Sequence, residues 1–562
     1  MFPKVPALSV ICLLLATAVG ASGAGQSALL EILADELKRN FEALKKADPA
    51  PYYLAYEVTE EDAEAVAATF GSLQSANSNR SRNLDVTIRV GSPKLDNYHR
   101  MQGDFAQFTA GIAIPLEDNA AAIKRRIWLE TDRVYRLASQ RLIRLKTNTQ
   151  VKAAEEDTSD DFSLEEPSDF VQSAGKLAFN RNEWSAKVRK WSAEFSKHRG
   201  VLSSSVTALA SQQMRYIVNT EGTRIQHGRG FARILIGAFG KAGDGMDLSA
   251  TDSFEAESPD RLPKDEQVAA AVETVGKRLT DLLRAPPVDP YVGPAILSGS
   301  SAGVFFHEIF GHRIEGHRQK DEAEGQTFTK SVDKGVLPEF LSVVFDPTRK
   351  NMASTDLNGW YAFDDEGVKA RPVKVVEDGI LRTFLMSRSP VRGFPKSNGH
   401  GRRQPGAEVV SRQSNLIVES KKMVPEEKLR AMLVEETKKQ GKPYGLYFQQ
   451  VTGGFTTTGR RGLQAFTVIP LVVYRVYPDG RPDELVRGVN IVGTPLASFA
   501  KIIATSDRHE VFNGICGAES GSVPVSAVSP ALLVSEIEIQ RKAAGIDSPP
   551  TLPRPTGAGG GQ

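Results

Sequence analysis

Pro294-Ala295-Ile296-Leu297-Ser298, Gly299-Ser300-Ser301-Ala302-Gly303 and His307-Glu308-Ile309-Phe310-Gly311-His312 follow one another closely, and their reading decides the fold. The first run predicts a strand and the rest a helix. Two chemistries compete for that helix. Gly299 to Gly303 matches G-x-S-x-G, a nucleophile elbow in which Ser301 would attack with His400 or His509 as base. Such a hydrolase needs repeated strand–helix alternation, which the remaining sequence lacks, and a small-residue helix start with a serine cap explains the segment without chemistry. His307 and His312 instead offer two imidazoles to a metal, with Glu308 placed to take a proton from polarised water. The familiar spacing is i, i+4. At i, i+5 a regular helix sets the two side chains roughly 140° apart. The metal reading therefore requires a distorted, π-like turn, which Gly311 makes easier. His317 is a further candidate ligand, against the plainer reading of an exposed turn residue.

Working outward, the second half alternates short apolar runs with turn residues. Leu341–Asp346, Pro372–Val376 before Asp378-Gly379, Ile380–Met386, Gln464–Tyr477 before Asp479-Gly480, and Leu485–Val492 are hairpin signatures. They predict a mainly antiparallel sheet or partial barrel with the His-bearing helix packed against it, and one more helix over Pro425–Lys438.

The first half reads as α/β with long helices. Ser27 caps a helix whose apolar positions are Leu29, Leu33, Leu37, Phe41 and Leu44. Ile123, Ile127, Val134, Ala138, Leu142 and Leu145 line a long helix over Asn119–Lys146. Trp184, Val188, Trp191 and Phe195 mark another, and Val268, Val272, Val275, Leu279 and Leu282 a fourth. Leu84–Val90 and Met214–Phe239 predict strands, the latter with a turn at Glu221-Gly222. Pro286 and Pro287 mark the boundary. The fold class is thus α+β, with an N-terminal domain over 25–285 and a C-terminal domain over 286–547. Residues 154–169 are acidic and poor in apolar side chains, which predicts an exposed, mobile loop. Residues 548–562 are Pro/Gly-rich and predict a disordered tail.

At 562 residues the chain is too long for one ordinary domain. A net charge of +2 gives no reason to expect a nucleic-acid partner. Lys4, the apolar run Val5–Val19 and small residues around Ala21 and Ala24 predict a signal peptide over 1–24, hence an exported protein, periplasmic or secreted, with no stable membrane insertion. Of two cysteines, Cys12 would leave with that segment and Cys516 would remain alone. A lone cysteine is by default a small buried hydrophobe. Asn513-Gly514-Ile515-Cys516-Gly517 reads as a glycine-flanked loop, which suits a ligand, and a thiolate with two imidazoles makes a three-ligand zinc site with an open position.

Several further stretches carry a family resemblance. His307–His312 with Ile314-Glu315-Gly316, Phe363-Asp364-Asp365-Glu366-Gly367, Glu377-Asp378-Gly379-Ile380-Leu381, Asn398-Gly399-His400-Gly401-Arg402-Arg403, and Gly514–Gly517 with Val523-Pro524-Val525 resemble the TldD/PmbA family of metallopeptidases in order and spacing. The resemblance implies zinc held by His307, His312 and Cys516, Glu308 as general base, and hydrolysis of unfolded or extended peptides. It also implies a dimer, either of this chain or with a metal-less paralogue. Arg402 and Arg403 are candidate substrate-binding residues. The alternatives to a metallopeptidase are a serine hydrolase using Ser301 and a non-catalytic, metal-stabilised assembly subunit. Export and the acidic segment are departures from the family pattern.

Overall fold

The computed structural model describes residues 27–100, 106–149, 157–173, 175–321, 323–460, 465–494, 498–542, 550 and 552. The expected signal peptide and almost all of the expected tail lie outside the described residues.

The N-terminal half is built on long antiparallel strands. Ser72–Ser92, Pro51–Thr69, Ser203–Asn219, Arg224–Lys241 and Asp247–Ala256 lie side by side in that order. Side chains alternate between the two faces of a strand. Leu54, Tyr56 and Val58 therefore share a face with Val66 and Ala68, and all five are buried. Helices α1 (Ala28–Leu44) and α2 (Ala120–Thr149) cover one end of this face. Helices α3 (Arg181–Ala193) and α4 (Asp265–Arg284) cover the other. Ser27 caps α1, its side chain accepting from Leu29 N at 3.1 Å, as the sequence predicts.

The opposite face meets the C-terminal domain through buried charges. Glu57 accepts from Arg403 at 2.6 Å and lies 3.3 Å from Arg215, which also pairs with Asp365. Isolated, any of these charges would be costly to bury; paired and hydrogen-bonded, they are tolerated. The acidic segment joins the same interface, so the expected exposed loop is corrected for its described part. Asp161 faces His99 Nδ1 at 2.9 Å. Phe162 is buried between the guanidinium groups of Arg89 and Arg388, 3.8 and 4.0 Å from its ring. Composition hid this because the anchoring partners are distant in sequence.

The C-terminal sheet is mixed. Five strands pair in a closed ring: Gly521–Arg541, Val489–Gly493, Phe466–Val476, Gly445–Thr456 and Tyr291–Leu297, the last returning to Gly521–Arg541. The expected partial barrel is present, with parallel pairing where Tyr291–Leu297 meets Gly445–Thr456. Helix α5 (Gly299–Ile309) contributes Val304, Phe305, Phe306 and Ile309 to its core. Burying each such side chain stabilises by about 1.5–3 kcal/mol. Helix α6 (His317–Lys320) is one short turn, and α7 (Glu426–Lys439) packs outside against Leu533 and Ala504. The expected loop at Asn513–Gly517 is instead the end of a strand, Ile502–Ala518, paired with Gly521–Arg541. Glycine tolerates extended backbone as well as turns, so its presence alone did not decide between them.

Candidate metal centre

Ser298 caps α5, its hydroxyl accepting from Ser301 N at 3.2 Å. The helix then runs to Ile309 and stops. Phe310 departs from helical geometry at φ −107° and ψ −54°, and Gly311–Ile314 form a tighter 3-10 turn. This break replaces the expected π-like turn and has the same result. The rings of His307 and His312 stand 4.9 Å apart and nearly perpendicular. Buried helix ends must find partners for their free carbonyls. Arg313 Nη1 donates to Glu308 O at 3.0 Å and Ile309 O at 3.2 Å, and Gln413 Nε2 to His307 O at 3.3 Å. Position 311 is steric: any Cβ there would run into the Gln413 amide.

The strand Ile502–Ala518 brings Cys516 to this pair from across the sequence. Its Sγ lies 3.4 Å from His312 Nε2. One donor atom each from His307, His312 and Cys516 lie within 4.8 Å of one another, and all three residues are buried. The donor chemistry fits zinc: two imidazoles and a thiol, with His312 Nδ1 turned to Glu315 Oε2 at 3.3 Å and Nε2 left to face the sulfur. Burial opposes ionisation of Cys516, but His312 and His307 outweigh it and hold the thiol well below its usual range. Burial likewise opposes the charged form of Glu315, yet His312, Arg318 and Arg412 hold its carboxyl at about 2.

Glu308 lies beside this cluster, and burial pushes its carboxyl upward, only partly offset by His307 and His312. Gly454 leaves room for it: a Cβ there would come 2.7 Å from Glu308 Cγ. The group opens into a cleft of about 910 Å³ between the two halves of the molecule. One wall is Gln450–Thr456, another Val511–Ala518, and the N-terminal sheet adds Arg233, Ser253 and Glu255. Phe455 and Ile515 expose 58% and 54% of their surface, so the walls offer apolar contact as well as backbone.

The other sequence candidates fall elsewhere. Arg403 is buried against Glu57, and Arg402 donates to Pro524 O at 2.8 Å beneath the Tyr361 ring. Neither lines the cleft, so the expectation that they bind substrate is corrected to a structural role. His317 is neither exposed nor a ligand; it is buried and paired with Glu519. Ser301 is wholly buried, with its hydroxyl 2.9 Å from that of Ser298. His400 is taken up by Asn398 and Ser414, and His509 by Val418 O. No serine triad forms from these residues. Sequence reasoning missed Arg313, Arg412 and Gln413, whose roles depend on long-range contacts that no local spacing signals.

Two imidazoles and a thiol converging on a cleft, with a carboxylate alongside, form a donor group that could hold a metal ion. Residues 291–541 match the PmbA/TldA metallopeptidase C-terminal domain, which supports the resemblance to the TldD/PmbA family. It is similar to a metalloprotease of Methanocaldococcus jannaschii, 29% identical over 265 residues, 47% of this chain and 53% of the relative. A metalloprotease of Archaeoglobus fulgidus is 30% identical over 271 residues, 48% of this chain and 57% of the relative. A zinc metalloprotease TldD homolog of Saccharolobus solfataricus is 27% identical over 266 residues, 47% of this chain and 55% of the relative. The matches thus span about half the length of these curated relatives. In fold, the chain is similar to TldE from Thermococcus kodakarensis, with TM-score 0.60, 13% identity, and coverage of 92% of this chain and 100% of that one. A putative modulator of a DNA gyrase from Thermotoga maritima gives TM-score 0.58 and 16% identity over 90% of this chain and 100% of that one. Among the described residues, no helix is long and apolar enough to cross a membrane.

Proposed function

We propose that this chain is a zinc-dependent peptidase that hydrolyses extended peptides in the cleft between its two halves. The observation that carries the reading is the convergence of His307, His312 and Cys516 beside Glu308. Zinc, when bound by these three residues, would supply Lewis-acid polarisation of water and of the scissile carbonyl. Glu308 accepts the proton of the attacking water and returns it to the leaving amine. Its burial raises the carboxyl toward working pH, which suits a group that must both take and give a proton.

The shape of the cleft supports an extended substrate. From Gln450 to Thr456 the strand Gly445–Thr456 is paired by Phe466–Val476 on one side, while its pairing with Tyr291–Leu297 ends at Phe448. Among the described residues no strand pairs with this edge, which lines the cleft, and an extended chain can add to such an edge through main-chain hydrogen bonds. The family resemblance supports a dimer, with a second copy or a metal-less paralogue. The Val5–Val19 run supports export to the periplasm or medium, and N-terminal sequencing of native protein that still shows Met1 would overturn it.

Glu308→Gln is the deciding variant. It keeps size and leaves the ligands in place, so zinc stays bound while peptide turnover falls by about 10²–10⁴-fold. Normal turnover in zinc-loaded Glu308→Gln would defeat the mechanism. A wild-type protein that binds zinc but cleaves no peptide would leave the metal a role in assembly alone.

A further inference from the structure

Arg412 has no part in the chemistry above, yet it is completely buried against the third ligand. Its Nη2 donates to Cys516 Sγ at 3.2 Å and to Cys516 O at 2.7 Å. Its Nη1 donates to Ser520 Oγ at 2.8 Å and Gly521 O at 2.9 Å, across the turn that follows the cysteine. Its Nε faces Glu315 Oε1 at 3.5 Å, and the other oxygen of that carboxylate serves His312 and Arg318. The next residue, Gln413, reaches His307. Each of the three donors therefore has its own polar partner: Gln413 for His307, Glu315 for His312, Arg412 for Cys516.

A purely structural arginine would need only the carbonyls of Cys516 and Gly521. The contact with sulfur goes further. A thiolate that accepts a hydrogen bond from a guanidinium gives less charge to a metal, and its lone pairs are fixed in direction. The planar fork suits this task, because it spans the sulfur and the turn at once; lysine would present a single point of donation.

We propose that Arg412 is a positioning residue for Cys516: it aims the thiolate at the metal position and withdraws charge from the sulfur, leaving a bound metal more electrophilic. The inference rests on the metal-centre reading. Full-length protein loaded with Co²⁺ as a spectroscopic probe tests it. In the wild type a sulfur-to-cobalt charge-transfer band is expected. In Arg412→Met the band should move to longer wavelength, because the sulfur becomes more electron-rich, and zinc should bind about 10–100-fold more weakly. Arg412→Lys keeps the charge and one donor and should lie between the two. A folded Arg412→Met whose band and zinc affinity match the wild type overturns the proposal. If that variant does not fold, wild-type band and affinity in Arg412→Lys overturn it equally. A wild type that binds cobalt with no thiolate band defeats the metal-centre reading instead.

Discussion

The two arms of the metal centre are held by different physics. His307 belongs to α5, whose phenylalanines and aliphatics fill the barrel, so it is placed by apolar packing, while His312 follows on the next turn. Cys516 sits near the tip of a hairpin, in a small apolar cluster with Val523 and Val525, and its further support is charged. Arg412 grips its sulfur and carbonyl, and Glu519 at the tip is clasped by His317 and Arg318. Packing fixes a helix in depth and rotation without regard to charge. Ion pairs fix a hairpin only while their partners stay ionised. The imidazole arm should therefore respond to lost volume, and the thiolate arm to lost charge.

Removing a donor from either arm should have the largest effect and make the arms look alike. His307→Ala, His312→Ala and Cys516→Ala should each lose most bound zinc, measured by metal analysis, since three protein ligands leave no redundancy. Full zinc retention in Cys516→Ala would break the comparison, because the hairpin would then supply no ligand. Next in size, Phe306→Ala should destabilise the fold by about 3–5 kcal/mol, read from denaturant unfolding. A loss below about 1 kcal/mol there would mean that packing does not hold the imidazole arm.

A smaller effect is expected from Glu519→Gln, which removes charge from the clasp and leaves its shape. Zinc affinity should fall roughly threefold to tenfold, less than for a direct partner of a ligand. The pH dependence has a definite sign. Burial raises the Glu519 carboxyl, but His317 and Arg318 outweigh it and hold it below the usual range. Burial holds the His317 imidazole below its usual range, so Arg318 is the partner that stays charged; the Glu519–Arg318 part of the clasp is present above the ordinary glutamate pKa and is lost as pH falls through the depressed value. An acid limb of hairpin protection unchanged in Glu519→Gln, followed by hydrogen exchange, would assign that limb to another group. The smallest effect belongs to Ser301→Ala, which loses the buried contact with Ser298, about 1 kcal/mol, and leaves turnover near wild type. Abolished turnover in that variant, if folded, would restore the serine reading.

The same division explains what could be read from sequence. The imidazole arm is local: His307, Glu308 and His312 stand within one turn and a half, and the apolar periodicity of the helices gave their positions. The identity of Cys516 as a candidate was legible because no other cysteine would remain after export, but its strand was not. The part of Ser72–Ser92 before Leu84 and the distal part of Pro51–Thr69 were also obscure, since Glu, Ala, Ser and Asn carry little strand preference and the pairing itself decides. Arg402 and Arg403, beside Gly399 and Gly401, read from sequence as candidate substrate-binding residues. Arg403 is buried against Glu57, 346 positions away, and Arg402 donates to Pro524 O, 122 positions away. Charge–charge partners at that separation leave no local pattern.

The ring of strands bears on the order in which the metal centre is assembled. Tyr291–Leu297 opens the domain, but its closing partner is Gly521–Arg541, more than 220 positions later and the last strand among the described residues. Cys516 lies immediately before that strand, so the third ligand and the barrel's closure arrive together. A nascent chain can present His307, Glu308 and His312 long before it holds a finished centre. The topology thus delays assembly of the donor group until Gly521–Arg541 has been made, and pairings this distant in sequence form slowly.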